Sequence, residues 1–399
     1  MYQNIGKKAF KKDLTNTYKL LEALGNPHLL GKHIHIAGSN GKGSVSSMLA
    51  SVLTEAGYKV GLYTSPHLVE YTERIRINGS EIDEAYVIGF VAEMQKHIEE
   101  IKPSFFELTV AMAFDYFGKK ETDVNIIEVG LGGRLDSTNV LNPILSIITN
   151  ISLEHTDMLG DRLSKIAFEK AGIIKQNIPV VIGEWTEETL AVFTERGKEC
   201  NSKIYKANTL IPPSWVAACE LKGSYQLKNL RTLCKSVEVL KSFDWAITDR
   251  NIIDGLSTIT QNTGLKGRWQ KVSNSPAIIL DTAHNAAGFH DIVVQLDQEI
   301  FKHLHIVLGV VKEKDLTTVL AILPKEAKYY TCKPEIPRGM ESALLNQKLK
   351  KAGYVAINAE SAENALKIAE KAAYAEDLIL VMGSNFVIAD VLKVTKYGQ

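Results

Sequence analysis

Short apolar runs alternate with amphipathic stretches along this chain, and the alternation predicts strands interleaved with helices. Residues 33–37, His-Ile-His-Ile-Ala, read as a short buried strand. Past a glycine-rich turn, Val45, Met48, Leu49, Val52, Leu53 and Ala56 share one helical face. That spacing predicts a helix over 44–56 with Gly57 at its C-cap. A second strand is predicted over 60–63. Residues 73–77 alternate at period two and run into Asn78-Gly79, a hairpin signal. Helices follow over 84–101 and 105–117, with buried strands over 124–129 and 145–149. This order argues for a mostly parallel sheet covered by helices. Residues 206–228, with Pro212-Pro213, are the least regular, and helices are predicted again over 229–242 and 249–256. The polar, turn-rich stretch 261–267 places a domain boundary near 265, giving domains over 1–265 and 266–399. Beyond it, strands at 277–280, 305–308, 328–332, 354–357 and 378–382 are each followed by a helical pattern. The second domain is therefore expected to be a smaller, Rossmann-like, doubly wound α/β unit.

Composition narrows the class without naming a function. A length of 399 residues suits two domains, and 45% hydrophobic with 23% charged residues suits a water-soluble chain with a large core. Lys+Arg and Asp+Glu are both 46, so no net field recommends nucleic acid or a membrane surface. Cys200, Cys219, Cys234 and Cys332 are scattered without metal spacing, which fits reduced thiols. The first residues lack an apolar leader and no run is long enough to span a membrane. A cytoplasmic enzyme is expected.

The turn between the first strand and helix reads Gly38-Ser39-Asn40-Gly41-Lys42-Gly43-Ser44. Glycines let the backbone approach a ligand, the helix start supplies N–H groups, and Lys42 adds a full charge, so phosphates suit this turn. Only two residues separate the first glycine from Gly41-Lys42, against four in the common P-loop. Glu128 closes an apolar strand and precedes Gly130, Gly132 and Gly133. In an open α/β sheet such a carboxylate faces the ligand crevice. With hydroxyls from Ser44 or Ser65 it can hold a hard cation such as Mg²⁺. Leu135 stands where a third glycine of a dinucleotide motif belongs, so that reading is set aside. His155, in Glu-His-Thr-Asp, also follows a strand end and taken alone reads as structural. Lys170 taken alone reads as a solvated lysine. Gly267-Arg268-Trp269 lies at the boundary, and Asp281-Thr282-Ala283-His284-Asn285 follows a strand of the second domain. Arginine there can reach phosphate, while Asp281 and His284 also fit a helix cap with its neighbour.

Taken in order, these segments resemble the folate branch of the Mur ligase superfamily, the bacterial dihydrofolate synthase/folylpolyglutamate synthases. The matching stretches are 37–44, 63–68, 105–107, 128–139 (EVGLGGRLDSTN), His155, 168–173, Gly267-Arg268, 281–285 and 309–315 (GVVKEKD), and they span nearly the whole chain. The resemblance implies a P-loop, Mur ligase-like ATPase domain followed by the Rossmann-like one. It also implies an ATP-dependent ligase that joins L-glutamate to dihydropteroate or a reduced folate through an acyl phosphate. It implies that Ser39, Asn40, Gly41, Lys42, Gly43, Ser44, Asn229, Arg268 and Asp281 bind ATP, with His284 near the phosphates. Ser44, Ser65 and Glu128 would hold one Mg²⁺ and His155 a second, and Lys170 would be carbamylated. The catalytic set would be Lys42, Glu128, His155, Lys170 and His284. Ser104, Phe105, Phe106, Glu107, Leu135, Asp136 and Ser137 would line the pterin side, and a monomer is expected. Ser39 replaces the family's usual threonine and Ala286 its proline, and residues 10–14 loosely match a folate-contacting stretch.

Three alternatives stand against this reading, of which an ATP-binding scaffold without catalysis would show damaged motifs, and those here are intact. A Mur-type ligase of cell-wall precursors would carry a further N-terminal domain, for which the position of Gly38 leaves no room. A nucleotide switch would need an Asn-Lys-x-Asp element, and the chain has none. Neither composition nor motifs separate dihydrofolate synthesis from polyglutamate extension.

Overall fold

The computed structural model describes residues 13–312, 316–394 and 397. Of the stretches matched above, residues 10–12 and 313–315 lie outside them. The chain divides into two units: residues up to Glu220 with Gln226–Leu265, and Leu221–Tyr225 with Lys266 onward.

Among the described residues the first unit has eight strands: β1 (Lys32–Ala37), β2 (Val60–Tyr63), β3 (Ile75–Ile77), β4 (Ser80–Glu81), β5 (Val124–Glu128), β6 (Leu145–Ile148), β7 (Val180–Ile182) and β8 (Ile204–Lys206). They lie in the order β4-β3-β2-β5-β1-β6-β7-β8. Pairing is parallel across β2-β5-β1-β6-β7-β8, and β3 pairs antiparallel with both β2 and β4. Strands β2, β5, β6 and β7 are buried along their whole length, as continuous apolar runs in a covered parallel sheet should be. Register sets the site. Ile36 pairs with Glu128, Ala37 with Ile148 and Tyr63 with Ile127, so Gly38, Ser65, Glu128 and Thr149 all follow onto one carboxyl edge.

Local structure departs from the sequence pattern in four places. The helix after β1 is Lys42–Glu55, and Ser44–Leu53 is buried on every side, not on one face. The helix Asp249–Ser257 packs over it, and the Ser51 hydroxyl donates to the Gly255 carbonyl at 2.6 Å. Serines there are interior polar groups with partners. Glu73 and Arg74 leave the expected strand for a 3₁₀ turn, Tyr71–Arg74, because the Glu73 carboxylate gathers the N–H groups of Leu68, Val69 and Glu70. The predicted helix over 84–101 breaks at buried Met94 into Glu84–Glu93 and Gln95–Ile101. Apolar spacing continues through that break, so periodicity does not reveal it. Asn229 lies inside the helix Gln226–Lys241, which begins about one turn earlier than expected.

The second unit carries β9 (Gln270–Asn274), β10 (Ala277–Leu280), β11 (Leu304–Leu308), β12 (Lys328–Cys332), β13 (Val355–Glu360) and β14 (Leu378–Met382) in the order β13-β12-β11-β14-β10-β9. All pairs are parallel except β9 with β10. The antiparallel edge strand β9, polar and half-exposed, had no apolar run to announce it. A core of Ile306, Leu308, Tyr329, Leu345, Leu380 and Phe289 closes this unit. Among the described residues no helix is long and apolar enough to cross a membrane.

Candidate active site

Strand β1 delivers the chain to Gly38, and the loop is then stitched to the end of β6. Ser39 N–H donates to the Asn150 carbonyl at 3.0 Å, Asn40 N–H to Asn150 Oδ1 at 2.9 Å, and Thr149 Oγ1 to the Asn40 carbonyl at 2.5 Å. The Ser39 hydroxyl donates to the Ser152 carbonyl and accepts from its N–H. Gly41 takes φ +82°, where a Cβ would also lie 2.1 Å from Asn229 Oδ1; only glycine meets both demands. Gly41 is the N-cap of Lys42–Glu55, and among the described residues no side chain caps that helix. Its first N–H groups are thus left to face a ligand.

Two lysines converge on one carbonyl. Lys42 Nζ donates to the Gly38 carbonyl at 2.9 Å and to that of Ser39 at 3.3 Å. Lys170 Nζ donates to the same Gly38 carbonyl at 2.9 Å and to Glu154 Oε1 at 2.7 Å. Lys170 is therefore not the solvated lysine its helix suggested: it is 1% exposed. Burial pulls its pKa below the usual lysine value, with Glu154 opposing. Burial alone would raise the Glu154 carboxyl, but Lys170, then Lys42 and His155, hold it down to about 2. Glu154 was missed at the sequence level, because nothing local marks a glutamate whose partner lies 16 residues on.

Glu128 is buried at the end of β5, and its Oε2 accepts from the Ser65 N–H at 3.0 Å. Ser44 is buried and its hydroxyl meets Gln226 Nε2 at 3.3 Å, while Gln226 Oε1 accepts from Asn229 Nδ2 at 2.8 Å. His155 is exposed at φ +44°, heading the short helix Thr156–Leu159. Among the described residues no three His, Cys, Asp or Glu side chains form a metal-binding group. The donors at this edge are a carboxylate and hydroxyls, a hard-oxygen set suited to Mg²⁺ or Mn²⁺.

The expected pterin side shows more self-satisfaction than expected. Ser104 and Glu107 form a reciprocal helix cap, with Glu107 Oε2 also accepting from Asn16 Nδ2. Asp136 is spanned by the Leu131 and Thr138 N–H groups and the Thr138 hydroxyl. Burial raises its carboxyl, and those bonds hold it back. Ser137 is buried and Leu135 half-buried. Phe105 and Phe106 are half-buried, and Phe106 lies so close over Gly130 that a Cβ there would meet its ring at 2.3 Å.

In the second unit Asp281 is buried and bound by its own chain. Its Oδ2 accepts from Tyr225 Oη at 2.7 Å and Trp269 N–H at 2.8 Å, and its Oδ1 from Ala283 N–H at 2.8 Å. Burial raises its carboxyl, while Tyr225 and then Arg268 oppose. Arg268 Nη1 donates to the Gly267 carbonyl, and His284 Nδ1 lies 3.1 Å from the Thr282 carbonyl. The helix N-cap is Asn285, whose Oδ1 accepts from Gly288 N–H. The first unit thus gathers the loop 38–44 with Ser65, Glu128, Glu154, Lys170 and Asn229, and the second carries Arg268, Asp281 and His284.

Known proteins share both units of this fold. Residues 36–222 match the Mur ligase middle domain and residues 267–385 the Mur ligase, glutamate ligase domain. The folylpolyglutamate synthase of Lacticaseibacillus casei is 31% identical, over 95% of this chain and 94% of its own. A "Probable bifunctional folylpolyglutamate synthase/dihydropteroate synthase" of Haloferax volcanii is 32% identical over 93% of this chain, which spans 47% of that longer relative. E. coli FolC in complex with DHPP and ADP superposes with a TM-score of 0.84 at 29% identity, covering 98% of this chain and 95% of the other. The bifunctional Yersinia pestis enzyme complexed with AMPPNP and Mn ion gives 0.85 at 30% identity, covering 97% and 94%. With both domains matched and full-length relatives above 30% identity, this chain belongs to the dihydrofolate synthase/folylpolyglutamate synthase family of Mur ligases.

Proposed function

We propose that this protein uses ATP to join L-glutamate to the carboxylate of dihydropteroate or of a reduced folate, releasing ADP and phosphate. The observation that carries this is the uncapped helix Lys42–Glu55 with Lys42 at its head, on the same sheet edge as Glu128 and Ser65. The acceptor carboxylate attacks the γ-phosphate and forms an acyl phosphate. The amine of glutamate then attacks the acyl carbon, and phosphate leaves from a tetrahedral intermediate. Backbone N–H groups of residues 41–44 hold the phosphate oxygens in line, and Lys42 leaves its carbonyl partners to neutralise charge as it develops. Ser44, Ser65 and Glu128 are the residues that would hold a divalent cation, with His155 at a second. When bound, such a cation neutralises phosphate charge as the P–O bonds change. Asn229, Arg268, Asp281 and His284 are proposed nucleotide contacts, and Phe105 and Phe106 acceptor contacts.

Lys170 is proposed to be carbamylated. Burial lowers its pKa and so favours the neutral amine, which adds to CO₂ to give a carbamate and one proton. That product places an anion beside Glu154, an arrangement that needs a cation between them. We place the working protein in the cytoplasm as a monomer.

The test is glutamate-dependent phosphate release from ATP with Mg²⁺, using dihydropteroate and tetrahydrofolate as separate acceptors. Release with one or both is expected and identifies the acceptor. No release with either, in protein that binds ATP, would remove the folate acceptor from the reading.

A further inference from the structure

Beside the Ser65–Glu128 corner sits a cation with no anion. Arg74 is 3% exposed, and among the described residues no carboxylate lies within ion-pair distance of it. Its Nε donates to His67 Nδ1 at 2.8 Å, and the Tyr63 hydroxyl lies beside the guanidinium. A buried guanidinium in that condition is costly unless something the protein binds completes it. Salt bridges elsewhere on the chain do not behave this way: Arg76, two residues on, is paired with Glu81 at 2.7 Å.

The surroundings say what would complete Arg74. The Phe105 ring lies 5.3 Å from the guanidinium carbon, and Tyr71 meets Phe105 edge-on at 5.6 Å. Tyr63 is fully buried, its hydroxyl has no hydrogen-bond partner among the described residues, and its ring lies 6.3 Å from Phe106. Burial raises the pKa of that hydroxyl, and Arg74 is near enough to oppose it. A buried guanidinium with no carboxylate among the described residues and a buried phenol thus lie together among aromatic rings. Their backbone position is also pinned, because Thr64 N–H donates to the Arg74 carbonyl at 3.0 Å. Along Tyr63-Thr64-Ser65-Pro66-His67 the first and last side chains approach Arg74, while the N–H of Ser65 between them reaches Glu128.

We propose that Arg74, assisted by the Tyr63 hydroxyl, receives the carboxylate of an aromatic acid, the benzoate end of the acceptor, and sets it for attack on phosphate. This rests on the folate reading above and adds the group that recognises the reacting carboxylate. A planar guanidinium matches a carboxylate through two parallel N–H bonds, which fixes orientation as well as charge. It also lowers the repulsion between an acceptor anion and the γ-phosphate it must approach. Phosphate itself is served by Lys42 and the helix start, and the aromatic lining around Arg74 selects a flat acid instead. Arg74 is therefore a positioning and specificity residue.

The test compares binding of dihydropteroate with binding of its analogue lacking the carboxylate, by fluorescence titration without turnover. Wild-type protein should favour the acid by about 10- to 100-fold. Arg74→Gln should reduce that preference to within about threefold, Arg74→Lys should retain part of it, and Tyr63→Phe should weaken it severalfold. Thermal melts and ATP binding report whether each variant is folded, and Tyr63→Phe keeps the test open if Arg74→Gln is not. A folded Arg74→Gln, or failing that Tyr63→Phe, with an undiminished preference for the acid overturns the assignment. If wild-type protein binds ATP but neither compound, the folate reading itself falls and takes this substrate with it.

Discussion

Each unit contains a parallel strand, a short turn and a helix, and the two turns solve the same problem in opposite ways. After β1, the helix Lys42–Glu55 begins at Gly41 with no side chain among the described residues capping it. After β10, the helix Ala286–Leu296 begins at Asn285, whose side chain occupies the Gly288 N–H. The charges differ as well. At the first turn Lys42 and Lys170 share the Gly38 carbonyl, and one of them pairs with buried Glu154. At the second, Asp281 is satisfied by a phenol and two backbone N–H groups from its own unit. Similar topology therefore does not make similar sites. An anion site needs a helix start that its own chain leaves unfilled, together with cations that can change partners.

Substitutions can break this contrast. Lys42→Ala should have the largest effect, lowering turnover by about 10³-fold through lost transition-state charge stabilisation, with little change in melting temperature. Wild-type-like phosphate release in that variant would remove the turn from the mechanism. In CO₂-free buffer, where Lys170 is unmodified, Glu154→Gln should cost about 3–5 kcal/mol in chemical denaturation, because it leaves the Lys170 ammonium buried without its anion. That cost depends on pH with a defined sign. Glu154 titrates near 2 when folded against 4.5 otherwise. Its stabilisation is complete above pH 4.5 and is lost as pH falls through about 2. The wild-type advantage over Glu154→Gln should shrink across that window, and a flat difference would argue against the pair. Gly41→Ala should cost about 1–2 kcal/mol for the left-handed backbone alone and weaken ATP binding by displacing Asn229. Asn285→Ala should cost about 1 kcal/mol, the value of a helix cap, with ATP binding nearly unchanged. Equal losses of ATP affinity in these last two would erase the distinction between the turns.

Much of this was legible from residue order. Strand ends announce themselves when an apolar run stops at Gly38, Ser65 or Glu128, and the P-loop carries its function in seven residues. The rest depends on distant parts of the chain. Lys170 reads as a surface lysine because its partners are Glu154 and, 132 residues away, Gly38. Arg74 reads as part of a polar–apolar alternation because Glu73 holds a turn that periodicity does not encode. Short β7 and β8 and half-exposed β9 carry too few apolar residues to stand out. Asp281 looks like a site carboxylate by position, yet its hydrogen bonds to Tyr225, Trp269 and Ala283 emerge only once the chain is folded.

Tyr225 has one more consequence. The pentapeptide Leu221–Tyr225 belongs to the second unit although forty residues of the first, Gln226–Leu265, follow it. Ser224 N–H donates to Gln295 Oε1 at 2.6 Å and Tyr225 Oη to Asp281. A gene fragment starting at codon 266 would encode every strand of the second sheet and still lack these donors. During synthesis the pentapeptide leaves the ribosome before the residues it binds exist. The second unit is thus completed by a stretch made ahead of it, and supplying that stretch as a separate peptide should tighten a truncated 266–399 fragment.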